Sequence, residues 1–382
     1  MKILALPTCL NGCSYIRIVS PLNKINELEL AEALYFTENK FAKFTENYNE
    51  LVESADVILF RGDHYEIVDN IMKTFDCSKK LFIYDSDDND YIITPDNDAY
   101  RWFGLEDVWY NDRKNNKSLP MWIDCESELA KELPPGRLYS KKENTKRCEM
   151  RDKILSICDG IFVTTENLAN VYRTLNQNVF ILPNAVDFKI WRTRKKLNTG
   201  KKLRIGWNGG SSHYYDFYKI YNELVSIIKN DKNLTLVMAG AVPTELLSSI
   251  PKEQLEVHEW VSAEVHPYRL QCLDIDIALI PLAGRDFDKY KSNNKYLEFS
   301  SMGIPSVVSN TSPYKEDIID GVNGLLFNNG EEMIKKLRVL IDNPLERARM
   351  GNSAYELVKR DFNSSNIVLN YIEAIKKIQG GK

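Results

Sequence analysis

The chain has 382 residues, 43% of them apolar and 27% charged, which is room for two domains of roughly 150–200 residues each. It contains no run of about 18 apolar residues, which excludes a helical membrane span. Residues 1–190 hold 23 Lys and Arg against 31 Asp and Glu, and the remainder hold 27 against 23; the acidic half disfavours nucleic acid as a partner, while the mildly basic half suits a small anion.

The first half alternates strand and helix signals. MKILALPT reads as a strand, being too short and too soon polar for a signal peptide, and an irregular stretch, CLNGCSYIRIVSP, follows it. Residues 26–43 carry helical spacing, ADVILFRG is a continuous apolar strand, and YEIVDNIMKTF is amphipathic. KKLFIYDSDD ends a further strand in acid, and a polar and aromatic insertion near 89–135 shows no period. A helix near 141–157, the strand GIFVTTE, the helix NLANVYRTL and the strand NVFILPNAVD complete a domain of residues 1–190. Apolar strands separated by amphipathic helices indicate a parallel sheet covered on both faces.

The basic segment 191–203 reads as an interdomain linker, after which the same grammar restarts. LRIGWNGG is a strand ending in a glycine turn, and SSHYYDFYKIYNELVSIIKN reads as one long helix. LTLVMAG, LEVHEWV and IDIALIPL are strands, followed by KSNNKYLEFSSMGIPSVVS and GVNGLLFNN. The second domain is thus expected over 204–360, with a last helix over 361–382 that packs back on the first domain. Seven scattered cysteines without a C-x-x-C pair argue against disulfides and zinc and fit a reducing cytoplasm.

Parallel sheets bind ligands beyond the carboxyl ends of their strands, and four such places carry candidate residues. Gly209, Gly210 and Ser211 form a turn that admits close backbone approach and leads into a helix start, which suits a phosphate and equally a plain strand–helix connection. Lys291, Ser292, Asn293, Lys295 and Glu298 cluster at the next helix start. Two ammonium groups there want an anion, and a half-buried Glu298 wants donors such as a ribose diol; a lysine-rich surface turn is the plainer alternative. Gly12, Tyr15 and Arg17 follow the first strand, where a lone exposed arginine is an equal reading. Asp85 and Asp88 end a middle strand in a DSDDND run that lacks the calcium-loop pattern, and a solvated acidic loop accounts for most of it. His64 and His213 also follow strands, where a capping role serves as well. No hydrolase elbow or zinc motif is present.

The order of IGWNGG, DIALIPL, KSNNKYLEFSSMGIPSVVS and GVNGLLF resembles the nucleotide-sugar domain of GT-B glycosyltransferases, most nearly the family-4 type. GCSYIRI, YDSDD and LPNAVD extend the likeness to the first half, with 89–150 outside it. The resemblance implies an α/β fold of two Rossmann-like domains facing each other across a cleft, and sugar transfer with retention from a nucleoside diphosphate sugar, a UDP-sugar being favoured. No cofactor or metal is implied beyond that donor. Glu298 would hold the ribose, and Gly209, Gly210, Lys291 and Lys295 the diphosphate. Arg17 and Gly12 would face the cleft from the acceptor side with Tyr15, His64, Asp85 and Asp88, and Lys291, Arg17 and Asp88 are the candidate catalytic groups. Tyr290 stands where the family places a second Glu, so Asp286 or Asp288 is a candidate substitute at the sugar hydroxyls.

The acceptor is expected to be a glycan, a lipid-linked sugar or a small molecule. Basic residues in 137–153 keep glycosylation of DNA bases as an alternative. A binding protein without chemistry and a GT-B epimerase are two further alternatives. Trp102, Phe103, Trp109, Tyr110 and Trp122 would either stack sugar rings or bases, or form a small lid core.

Overall fold

A computed structural model describes residues 1–37, 40–95, 97, 99–112, 117–122, 138–192 and 202–381. The first sheet is built from β1 (Lys2–Ala5), β2 (Glu32–Leu34), β3 (Val57–Arg61) and β4 (Leu81–Ser86), a separate hairpin of β5 (Trp109–Asp112) and β6 (Lys117–Pro120) intervenes, and β7 (Gly160–Val163) and β8 (Val179–Ile181) complete it. Its order is β2-β1-β3-β4-β7-β8, parallel throughout. The second sheet holds β9 (Leu203–Gly209), β10 (Leu234–Gly240), β11 (Leu255–His258), β12 (Ile277–Ile280), β13 (Ser306–Ser309) and β14 (Leu325–Phe327). Its order is β11-β10-β9-β12-β13-β14, again all parallel.

Both sheets are buried on two faces, as their unbroken apolar strands require. Ile58, Phe60, Phe82 and Tyr84 pack on one side of the first sheet, and Ile3, Val57, Leu59 and Ile83 on the other. The second sheet divides likewise, with Ile205, Trp207, Leu236 and Leu279 opposed to Val237, Ala278, Ile280 and Val308. In each sheet the strand order reverses beside the first strand of the domain, β1 or β9, and the crevice beyond those strand ends is where such folds take ligands.

Three local expectations change. The stretch after β1 is helical from Gly12 to Glu27, with a π-helical segment at Tyr15–Val19; Asn11 caps it by accepting from the Ser14 amide at 2.8 Å, and burial of Ile18, Val19, Leu22 and Ile25 holds it. Residues 26–43 form one helix end, the edge strand β2 and the helix Phe41–Glu46, because backbone pairing with β1 overrides the helix-forming composition of ELELAEAL. The long helix expected after Gly210 is broken into a 3-10 turn, Ser211–Phe217, and the helix Tyr221–Asn230. The aromatic residues of 211–218 do not continue a 3.6-residue apolar stripe: Phe217 is buried, while Tyr215 and Tyr218 face solvent.

The helix Ser364–Gly381 crosses back to the first sheet, where Val368, Tyr371, Ile372 and Ile375 pack against Ile3, Ile18, Leu22 and Phe162. Most of the expected linker, 193–201, lies outside the described residues, as does 123–137 of the insertion. What is described of the insertion makes a small core of Ile93, Tyr100, Met121, Trp122 and Tyr139, completed by Phe287 from the second domain. Trp109 stands edge-on to Trp122 at 5.2 Å and remains half exposed, and Trp102 lies under the guanidinium groups of Arg101 and Arg147.

Candidate active site

The helix Asn294–Ser301 follows β12 after a loop that holds the 3-10 turn Phe287–Tyr290, and it carries two of the expected charged groups on one side, one turn apart. Glu298 is largely buried, and its Oε2 accepts from the Asn208 amide at 2.7 Å and from His266 Nε2 at 3.3 Å. Burial opposes its charge, but the His266 contact and the Asn208 amide win and hold the carboxyl below the usual range. Both contacts use one oxygen; among the described residues Oε1 takes no hydrogen bond and can accept from a ligand. Asn208 is the penultimate residue of β9, so the end of that strand orients the glutamate.

Lys295 donates to His213 Nε2 at 3.0 Å, and His213 Nδ1 lies 2.6 Å from Asp216 Oδ2. The other Asp216 oxygen accepts from the Ala283 amide at 3.0 Å, which ties the 3-10 turn to the loop after β12. Burial, with Lys291 adding repulsion, brings the Lys295 ammonium down to about 8. Lys291 stands 3.4 Å from Asp288 and over the Phe287 ring at 5.3 Å. Two cations thus converge where the strands β9 and β12 end.

Gly209 and Gly210 line this place in different ways. A Cβ on Gly209 would come within 2.7 Å of the Trp207 ring and 3.3 Å of His213, so the residue must be small for packing. A Cβ on Gly210 would meet nothing within 4 Å, so that backbone faces open space. Ser211 opens the 3-10 turn, and its hydroxyl lies outside what is described.

Ser292 and Asn293 serve the frame. Ser292 Oγ accepts from Asn184 at 2.9 Å, and Asn293 donates to Asp317 at 2.7 Å. Asn184 also donates to Asn294 at 2.6 Å and accepts from Arg17 at 3.0 Å, joining the two domains.

On the first domain the structure separates the candidates. Arg17 is buried and grips Asp85 with two hydrogen bonds, of 2.9 and 2.6 Å, and also donates to the Leu182 carbonyl at 2.6 Å. Asp85 is fully buried and takes a further contact from Arg61 at 3.4 Å. The expected cleft-facing arginine is therefore an internal brace, because a buried carboxylate 68 residues away claims it. His64 sits at the start of the helix Tyr65–Thr74, with Nδ1 against the Arg61 carbonyl, which is a capping position.

Gly12 and Tyr15 lie on the cleft side: a Cβ on Gly12 would meet open space, and the Tyr15 hydroxyl is pushed up by burial and by the field of Glu264 from the opposite domain. Asp88 is partly exposed, and burial with the adjacent Asp87 carboxylate pushes it up to about 8, while Lys291 across the cleft pulls it back. Of the three candidate catalytic groups, Lys291 and Asp88 thus meet in one field, and Arg17 lies behind them.

The two substitutes considered for a second glutamate are both occupied. Asp288 is fully buried and bound by Arg285 through its amide at 3.0 Å and its guanidinium at 3.2 Å. Asp286 is exposed and paired with Lys289 at 2.6 Å. Tyr290 itself packs against the core of the first domain. The sequence reading missed His266, Asn208 and Asp216 as partners of the charged groups; only the position of each at or after a strand end hinted at them. Among the described residues, no group of three His, Cys, Asp or Glu is placed to hold a metal, and no helix is long and apolar enough to cross a membrane.

Residues 204–343 match the family model described as glycosyl transferases group 1. The second domain thus matches glycosyl transferases group 1, and the two Rossmann-type sheets together have the GT-B fold. Solved structures of the same fold cover it from end to end. Sucrose-phosphate synthase from Thermosynechococcus elongatus is 11% identical, with a TM-score of 0.65 and 100% of both chains covered. Anabaena HepE in complex with UDP-glucose is 10% identical, with a TM-score of 0.63 over 99% of this chain and 100% of that one. A glycosyltransferase from Rickettsia africae is 9% identical, with a TM-score of 0.60 over 99% and 98%. At such identities the likeness speaks to the fold. No curated protein sequence matches the chain.

Proposed function

We propose that the chain moves a sugar from a nucleoside diphosphate sugar to an acceptor hydroxyl, with retention at the anomeric carbon. The observation that carries this reading is Lys295 one helical turn from Glu298, with Lys291 close enough to repel its charge, beside the end of β9 that Asn208 supplies. A diphosphate satisfies the two cations and the open Gly210 backbone, and a ribose diol satisfies Glu298 Oε1. HepE, a structural neighbour, binds UDP and UDP-glucose, which supports a UDP-sugar as the donor.

The chemistry follows from where charge develops. When the bond from the anomeric carbon to the diphosphate breaks, the diphosphate gains negative charge and the sugar ring gains positive charge. Lys291 and Lys295, already in place, stabilise the first without reorganisation. The acceptor enters from the first domain past Gly12, Tyr15 and Asp88 and attacks on the face the diphosphate leaves, its hydroxyl proton passing to the departing diphosphate oxygen. A glycan, a lipid-linked sugar or a small molecule supplies that hydroxyl.

Calorimetric titration with UDP tests the donor half. Lys291→Ala and Glu298→Ala are each expected to weaken binding by about tenfold to a hundredfold, the scale of a lost charge-assisted hydrogen bond. Binding within twofold of wild type in both variants would remove the assignment. Release of UDP from UDP-glucose on addition of glycan acceptors, with the anomer of the product read by proton NMR, tests transfer and retention together.

A further inference from the structure

Lys295 ends on a chain of two further side chains, His213 and Asp216, that no diphosphate contact explains. We infer that His213 is a positioning residue for the diphosphate lysine: Asp216 fixes its imidazole with the proton on Nδ1, and the bare Nε2 holds one hydrogen of the Lys295 ammonium, leaving two for the ligand. The inference rests on the proposed placement of Lys295 at the diphosphate.

The geometry admits one arrangement of protons. Asp216 is fully buried, and its Oδ1 is already engaged by the Ala283 amide at 3.0 Å. Its Oδ2, 2.6 Å from Nδ1, can only accept, so Nδ1 bears hydrogen. Nε2 then accepts from Nζ at 3.0 Å, since an ammonium has nothing but donors. A protonated imidazole would set two cations face to face, and burial together with Lys295 accordingly pushes His213 down to about 4. The 3-10 conformation makes this possible, because it brings His213 and Asp216, three residues apart, onto one side of the turn.

The groups facing Lys295 come from several elements. Asp216 and Glu298 favour its charge, Lys291 opposes it, and Cys13 lies opposite on the first domain. His266 stands behind Glu298, and Tyr314 lies within the field of both Asp216 and Glu298. Near pH 8 the ammonium is half lost in the free protein, and a diphosphate restores it. Affinity for a nucleoside diphosphate therefore falls as pH rises through that value, by up to about tenfold per unit while one proton is taken up on binding.

Titration with UDP, GDP and ADP from pH 6 to 9.5 checks the chain of contacts. Wild type is expected to show the break near pH 8, and Lys295→Ala to bind more weakly with a smaller break, the part that remains being due to Asp88. His213→Phe keeps the ring but loses the acceptor; at least tenfold weaker binding at pH 7 and a break moved to lower pH are expected. His213→Gln, whose side-chain oxygen can take the place of Nε2, is expected to recover most of the loss. If Lys295→Ala binds all three nucleotides as wild type does, the diphosphate placement itself fails. If Lys295→Ala is impaired while His213→Phe matches wild type at every pH, the role of His213 fails alone. Nitrogen-15 NMR of the imidazole in the wild-type protein gives an answer that needs no variant: a neutral ring with hydrogen on Nδ1 down to pH 5 is expected. A ring protonated on Nε2, or one titrating near 6.5, would overturn the inference.

Discussion

At the scale of single residues, the two glycines at the end of β9 behave as opposites. Gly209 is held small by the Trp207 ring, whereas Gly210 borders open space with φ of −85°, a conformation any residue adopts. Gly210→Ala is therefore expected to leave stability within about 0.5 kcal/mol of wild type. The added methyl would occupy the proposed path of a diphosphate, so on that reading UDP affinity drops at least fivefold; a thermal melt and a calorimetric titration of the same sample separate the two effects. The cations and Glu298 were legible in sequence because K-S-x-x-K-x-x-E places them within one helix start, where distance in sequence equals distance in space. Their partners were not: Asn208 is 90 residues from Glu298 and His213 is 82 from Lys295, and no local period links them.

At the scale of elements, apolar strands announced themselves and polar braces did not. ILFRG and IALIPL could only be buried strands, since nothing else accommodates such runs between turn signals. The helix Gly12–Glu27 was hidden because its first turns, rich in β-branched residues and carrying a π-helical segment, depend on packing more than on propensity. Arg17 shows the consequence. It fastens this helix to the end of β4 through Asp85 and to the loop after β8 through Leu182. Arg17→Ala would leave the Asp85 carboxylate buried with only the longer Arg61 contact, at a cost of about 3 kcal/mol. Urea unfolding should show that loss in the midpoint; a variant as stable as wild type but inactive would instead return Arg17 to the cleft.

At the scale of the whole molecule, two sheets of similar order share one crevice, and specific contacts among the described residues cross it. Asn184 touches Arg17 on one side and Ser292 with Asn294 on the other, Asn167 donates to the Lys289 carbonyl at 3.0 Å, and Phe287 completes the insertion's core. The two-domain order was legible from the restart of the strand–helix grammar after Trp191, whereas the composition of these bridges depends on which loops meet and leaves no periodic trace. The chain also returns across the boundary at its far end, where Val186 and Asn363 pair and the helix Ser364–Gly381 closes one face of the first sheet. Removal of residues 364–382 would uncover Ile3, Ile18, Leu22 and Phe162, so the shortened protein is expected to lose cooperative unfolding of its first domain in hydrogen exchange while the second keeps its protection. On the ribosome this geometry imposes an order. The first domain emerges early but waits, with one apolar face open, for a helix made some 180 residues later. The second domain, the proposed donor side, is complete before that helix appears, and the proposed acceptor side matures only once the helix Ser364–Gly381 has been made.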